Sequence, residues 1–305
     1  MITDRKFVLV TRKTRLMELK EKYCTLGQAK FYLEHLGESF DQYEDEHQQF
    51  LAVKQNVQRT LFNLGRVLEL DRELLPTYLF QADDIVVVLG QDGLVANTLK
   101  YLTTQPVIAI NPLPALFDGI LLPFKPSQVR DIVLATLNQE VRIQAITLAE
   151  ATTNLGHSML AVNDLFIGPR SHTSARYRLE ISNASEEQCS SGIIVSTGLG
   201  STGWMKSIIT GACAIAGQNN KDSKPVPWDE KSLTYAVREP FPSATSQCAK
   251  VFGRITPRNH LTLTSRMPEN GVIFSDGLEQ DAIAFNAGTV ATISISASSG
   301  SLVLG

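Results

Sequence analysis

Between residues 40 and 64 the apolar positions Phe40, Tyr43, Phe50, Val53, Val57, Leu61 and Leu64 recur at spacings of three, four and seven. That period predicts a long one-sided helix, with Glu44, Asp45, Glu46, Gln48 and Gln49 on its solvated face. Such a stripe reads first as core-facing and second as a partner surface. Before it, Phe7–Thr11 is a candidate strand that passes through the basic turn Arg12-Lys13-Thr14-Arg15 into helical segments. After it, Asp83-Asp84-Ile85-Val86-Val87-Val88-Leu89-Gly90 is a β-branched run ending on glycine, the pattern of a parallel strand buried on both faces. A helix over Asn97–Leu102, a strand over Pro106–Ile110 and the Pro-rich turn Asn111-Pro112-Leu113-Pro114 follow. Strand, glycine turn, helix and strand make a right-handed βαβ unit, with its loops at the strand C-termini. A helix over Pro126–Asn138, with proline in its first turn, closes this domain.

Beyond residue 139 the period changes from helical to two. Val141–Thr147, Met159–Ile167, Ala175–Ile181, Gly192–Ser196, Leu233–Val237, His260–Thr264, Val272–Ser275 and Thr289–Ser296 read as short strands. The expected fold is therefore an α/β domain over residues 1–138, carrying a helical elaboration, and a mostly antiparallel β-rich domain over 139–305. The last strand is free to return to the first domain. Gln218–Asp229, rich in Asn, Lys and Ser, is the candidate mobile loop.

Composition narrows the class. The 305 residues are 43% hydrophobic and 19% charged, as in an ordinary globular protein, which excludes a coiled coil, a collagen-like chain or a mostly disordered one. A net charge of -3 argues against a nucleic-acid binder but leaves small anionic ligands open. Charge is uneven: residues 1–80 hold 12 Lys/Arg and 12 Asp/Glu, while 282–305 hold none. Cys24, Cys189, Cys213 and Cys248 are scattered, so a reduced, cytoplasmic protein is expected. The apolar stretch at the N-terminus is too short for a signal peptide, and no run approaches a membrane span.

Two stretches carry candidate chemistry. Gly90-Gln91-Asp92-Gly93 lies between a buried strand and a helix, where glycines admit a ligand to the backbone and free N–H groups attract phosphate. Asp92 would face that ligand, where a carboxylate can accept a hydroxyl proton or hold Mg²⁺; a plain βα turn with Asp as helix cap is the competing reading. Val195-Ser196-Thr197-Gly198-Leu199-Gly200-Ser201-Thr202-Gly203-Trp204 packs glycines among hydroxyls at another strand end, which suits pyrophosphate or ribose oxygens; a simple Gly/Ser turn competes. Neither is a Walker A loop or a GxGxxG turn before a helix. Arg170, Arg176 and Arg178 read first as outward arginines of a surface strand and second as phosphate forks. The basic turn 12–15 is either solvated or a receiver of a nucleotide donor. His157 reads as a surface residue, and the histidines and cysteines have no zinc spacing.

Taken in order, Gly90-Gln91-Asp92-Gly93, Asn163-Asp164, Gly200-Ser201-Thr202 and Asp276-Gly277 resemble the landmarks of the NAD kinase family: GGDG, an Asn-Glu pair, and DG…TPTGSTAY. The match covers roughly residues 84–300. Lipid kinases of the diacylglycerol and sphingosine type share the GGDG-like turn without the GSTAY-like stretch. The resemblance implies that Asp92 approaches the 2′-hydroxyl of the adenosine ribose and that Gly90, Gln91 and Gly93 form the phosphate-binding turn. It implies that Asn163 and Asp164 bond the dinucleotide, that Thr197, Gly200, Ser201, Thr202 and Ser207 line the second stretch, and that Trp204 keeps an aromatic face for a base.

There are departures. Gln91 replaces a glycine, Asp164 a glutamate, Gly198-Leu199 a Pro-Thr pair, and Ser191 the aspartate before Gly192. Asn111–Gly119 keeps only an echo of the family's NxGxxGF turn. The implied activity is transfer of the terminal phosphoryl of ATP to NAD in an interdomain cleft, with Mg²⁺ held through the phosphates and no protein metal ligands. The family's habit also implies a homo-oligomer. The alternatives are a catalytically silent or regulatory nucleotide-binding protein of this fold, or a kinase for a sugar or lipid hydroxyl.

Overall fold

The structure, a computed structural model, describes residues 2–218 and 225–305. It divides into two compact units, Met1–Gln144 with Ser301–Gly305, and Ala145–Gly300. The first contains β1 (Lys6–Thr11), α1 (Arg15–Tyr23), α2 (Leu26–His35), α3 (Phe40–Leu64), β2 (Arg66–Asp71), β3 (Ile85–Leu89), α4 (Asp92–Leu99), β4 (Val107–Ile110) and α5 (Val129–Leu137). Its strands run parallel in the order β2-β1-β3-β4, with Val8 opposite Val86 and Val86 opposite Val107. β3 and β4 are buried at every position, because helices cover the sheet; Phe50, Val57 and Leu61 of α3 and Val129, Ile132 and Val133 of α5 pack on Phe7, Leu9, Val87 and Ile108.

The second unit is built from β5 (Arg142–Thr153), β6 (Ser158–Ala161), β7 (Asp164–Pro169), β8 (Ala175–Ile181), β9 (Ala184–Ser190), β10 (Ile193–Ser196), α6 (Trp204–Ile215), β11 (Leu233–Val237), β12 (Phe252–Ile255), β13 (Leu261–Ser265), β14 (Gly271–Ser275), β15 (Leu278–Ala284) and β16 (Val290–Leu304). An antiparallel sheet in the order β12-β11-β10-β7-β14-β15 has α6 against Phe166, Ile194 and Val272 on one face. Its other face shares a core with β8, β13 and β16, including Leu165, Val195, Tyr177, Leu263 and Ile293. The end of β16 pairs parallel with β4, Leu302 opposite Val107, and Val303 enters the core of the first unit.

The α/β region and the antiparallel β-rich region are those expected. Several local expectations are corrected. The helix read over Asn97–Leu102 starts five residues earlier, at Asp92, and ends at Leu99. Met159–Ile167 is two strands, interrupted at Val162-Asn163. Glu46 does not face solvent: it is 7% exposed, paired with Arg15, whose guanidinium also lies 4.4 Å from the Tyr43 ring. Half of the candidate mobile loop Gln218–Asp229, residues 219–224, lies outside the described residues. No helix among the described residues is long and apolar enough to cross a membrane.

Candidate functional site

In the first unit, β3 ends at Leu89 and the chain passes through Gly90 to Gln91, the N-cap of α4. Asp92 is thus the first helical residue rather than the cap. Its carboxylate is held by two backbone N–H groups, Ile120 donating to Oδ2 at 3.0 Å and Leu121 to Oδ1 at 2.9 Å. Each oxygen keeps a further lone pair, so the group is oriented and still able to accept a hydroxyl proton. A Cβ on Gly90 would come within 2.7 Å of the Leu94 side chain, whereas one on Gly93 would meet nothing within 4 Å. No contact within the chain and no left-handed backbone explains Gly93.

Gln91, the residue in place of the family's second glycine, accepts a hydrogen bond from Arg12 Nη1 at 3.3 Å. Both line a small pocket, with room for about one water molecule, together with Thr14, Gly90, Pro112 and Phe117. The other cations of the basic turn are neutralised: Lys13 by Glu21 and Glu73, at 2.8 and 3.0 Å, and Arg15 by Glu46. Arg12 also reaches Glu18 at 3.5 Å.

In the second unit, Asn163 and Asp164 stand where β6 gives way to β7. Asp276, in the β14–β15 turn at φ 53, accepts the backbone N–H groups of Val162, Asn163 and Asp164 at 3.1, 2.7 and 3.2 Å. Asp276-Gly277, at positive φ in both residues, is a tight hairpin turn, and its carboxylate fixes the Asn-Asp segment. The Asn163 side chain has no hydrogen-bond partner among the described residues. Asp164 is pushed up to about 7, first by burial, opposed by the Ser196 hydroxyl and reinforced by the Asp276 carboxylate; its Oδ1 is buried with no partner among the described residues.

The glycine-hydroxyl stretch is largely committed to its own backbone. A Cβ on Gly198 would collide with the Pro227 carbonyl, and one on Gly200 with the Asn163 carbonyl. Close backbone packing therefore accounts for these two glycines. Thr197 donates to Val162 O at 2.6 Å and accepts from Gly200 N at 3.2 Å; Ser201 donates to Gly198 O at 2.6 Å and accepts from Val226 N at 3.2 Å. Thr202 and Ser207 turn back to the carbonyls of Leu199 and Gly203, both at 3.5 Å. Trp204 stacks on Phe166, 5.9 Å between ring centroids, with the Arg238 guanidinium 5.6 Å from its own ring centroid. These three, with Arg170, Phe274 and Glu279, line a pocket of about 180 Å³. The arginines of β8 diverge in environment, Arg178 pairing with Glu180 at 2.9 Å while Arg176 is exposed.

No protein-family model and no curated protein sequence matches the chain. Solved structures do. Yeast NADH kinase, crystallised with NADH, superposes with a TM-score of 0.60 at 13% identity, covering 99% of this chain and 84% of the other. The NAD kinase from Archaeoglobus fulgidus, in complex with ATP, gives 0.58 at 15% identity, covering 98% and 93%. The chain has the fold of the NAD kinases.

The Gly90–Gly93 turn follows a strand end, as read from the sequence, whereas the Asn163-Asp164 pair, read as lying within a strand, sits at the break between β6 and β7. What sequence reasoning missed is the support beneath them: the Ile120 and Leu121 amides under Asp92, the Asp276 clamp, and Arg238 beside Trp204. The Asp276-Gly277 dipeptide and the echo at Asn111–Gly119 were the available signals.

Proposed function

We propose that the chain is a phosphotransferase that moves the γ-phosphoryl group of ATP, bound as its Mg²⁺ complex, to the 2′-hydroxyl of NAD. The observation that carries this reading is Asp92: a carboxylate at a βα turn, oriented by two amides and followed by a glycine beside open space. The fold shared with kinases of NAD and NADH supports it. In the step, the hydroxyl oxygen bonds to the γ-phosphorus, the bond to the ADP oxygen breaks, and the hydroxyl proton passes to the Asp92 carboxylate. Most of the work is alignment and charge screening, with Mg²⁺ carried on the phosphate oxygens it prefers. Asn163, whose side-chain amide has no partner among the described residues, is the second group assigned to the dinucleotide.

Asp92→Asn is expected to abolish NADP formation in a coupled assay with the fold retained at a cost of about 1–3 kcal/mol, since the amide cannot take the proton and its Nδ2 meets one of the two N–H donors where an oxygen had accepted. Turnover like wild type in that variant would contradict the assignment.

A second reading, a silent nucleotide-binding protein, draws on the neutralised basic turn and on Thr197 and Ser201, whose hydroxyls are already bonded within the chain. Calorimetry with NAD and ATP beside the coupled assay separates the two. Tight binding without turnover favours the silent protein.

A further inference from the structure

We propose that Asn111 positions the Asp92 carboxylate, acting through the loop that follows β4; its catalytic meaning rests on the function proposed above. Asn111 is 5% exposed, and both ends of its side-chain amide are used. Nδ2 donates to Phe117 O at 2.8 Å, and Oδ1 accepts from Leu113 N at 3.1 Å. These bonds close residues 113–117 into a turn, assisted by the backbone bonds of Leu116 N and Phe117 N to Leu113 O. Gly119 then reverses the chain at φ +63, so close to Asn111 that a Cβ there would lie 2.9 Å from Nδ2. The next two residues are Ile120 and Leu121, whose N–H groups hold the two Asp92 oxygens.

The Ile120 side chain is 68% exposed, so burial does not place its amide. Leu121 is buried and anchors the far side of the pair. What fixes the direction of the Ile120 N–H is the turn folded over the Asn111 amide and the reversal at Gly119 packed against it. Without that turn one carboxylate oxygen loses its donor, and the carboxylate gains freedom to rotate away from the reacting hydroxyl. A misplacement of about 1 Å in a reacting group costs on the order of 100-fold in rate.

The test uses full-length Asn111→Ala and Gly119→Ala. Initial rates of NADP formation from NAD and MgATP are measured together with amide hydrogen exchange at Ile120 and Leu121. In Asn111→Ala, kcat is expected to fall about 10- to 100-fold while KM for NAD stays within about threefold, the signature of a lost alignment rather than lost binding. Exchange at Ile120 and Leu121 is expected to accelerate in Asn111→Ala and in Asp92→Ala, with the amides of β10 unchanged as the control for folding. A kcat within about twofold of wild type, a rise in KM alone, or unchanged exchange at the two amides overturns the proposal. If Asn111→Ala does not fold, Gly119→Ala perturbs the same turn from its other side and carries the same expectations. If the wild-type chain forms no NADP, the function reading fails, and the exchange result alone decides whether Asn111 positions Asp92.

Discussion

Asp92 and Asp164 are two carboxylates in opposite circumstances. Asp92 is tied by two backbone donors, while Asp164 has one buried oxygen without a partner and a second carboxylate, Asp276, nearby. Asp276 takes three amides, those of Val162, Asn163 and Asp164 itself. Burial therefore dominates at Asp164 and raises its proton affinity to about 7, so the folded state binds a proton there that the unfolded chain releases near pH 4. Between those two values the folded state holds more protons than the unfolded one, and stability falls as pH rises; above about 7 the loss is complete. Each pKa unit is worth about 1.4 kcal/mol, which sets a ceiling of about 4 kcal/mol that water access reduces. Asp164→Asn removes the titration. Its stability relative to wild type is expected to rise by roughly 1–3 kcal/mol between pH 4.5 and pH 8 in denaturant titrations. A difference that does not change with pH would exclude a raised proton affinity at this carboxylate.

At the scale of elements, the two glycine-rich turns looked alike in sequence and differ in cause. Gly200 is required by the Asn163 carbonyl against which it packs; Gly93 has open space around it in the first turn of α4. Gly200→Ala is expected to cost about 1–3 kcal/mol through overpacking. Gly93→Ala should keep the fold and stabilise α4 by up to about 1 kcal/mol through helix propensity. A loss of activity in the stabilised Gly93→Ala protein, read from kinetics and thermal melts together, would then report a ligand approaching that backbone. Equal melts and full activity would make Gly93 an ordinary turn residue. The same contrast explains what the sequence could reveal. β1, β3, β4, β8, β11 and α3 were legible because their apolar periods follow their burial. β9 was not: its inward side chains are Glu186, Gln188 and Ser190, buried by bonding to one another, to Lys250 and to Tyr177, so its letters read as a loop. β15, Leu278–Ala284, was hidden for another reason: Glu279, Gln280 and Asp281 are consecutive and exposed, so its sequence shows no period of two. The start of α4 was missed because Gln91-Asp92-Gly93 has turn composition, and only its hydrogen bonding makes it helical. Both motif turns were visible as motifs, but the residues that support them were too distant in sequence to be paired: Asp92 with Ile120 and Leu121, and Asp276 with Asn163.

At the scale of the molecule, the chain's last residues belong to the unit formed by its first 144. The charge-free tail observed in the sequence has this physical cause: β16 is buried at Ala291 and Ile293 in the β-rich core, and again at Leu302 and Val303 in the α/β unit. The first unit therefore cannot complete its sheet until residues 301–305 have been made, because β4 waits for a parallel partner supplied by Leu302. Deleting residues 301–305 removes that partner together with two side chains at 0% exposure. Full burial of a Leu or Val side chain is worth about 1.5–3 kcal/mol, so the deletion is expected to destabilise the α/β unit by about 3–6 kcal/mol. At roughly 2–4 °C per kcal/mol for a unit of this size, its melting transition should fall by about 6 °C or more. The β-rich unit keeps Ala291 and Ile293 and should melt near its original temperature, so that calorimetry of the truncated chain resolves a lowered transition ahead of an unshifted one. If both transitions move together, the units unfold as one; if neither moves, the tail contributes nothing to the α/β core.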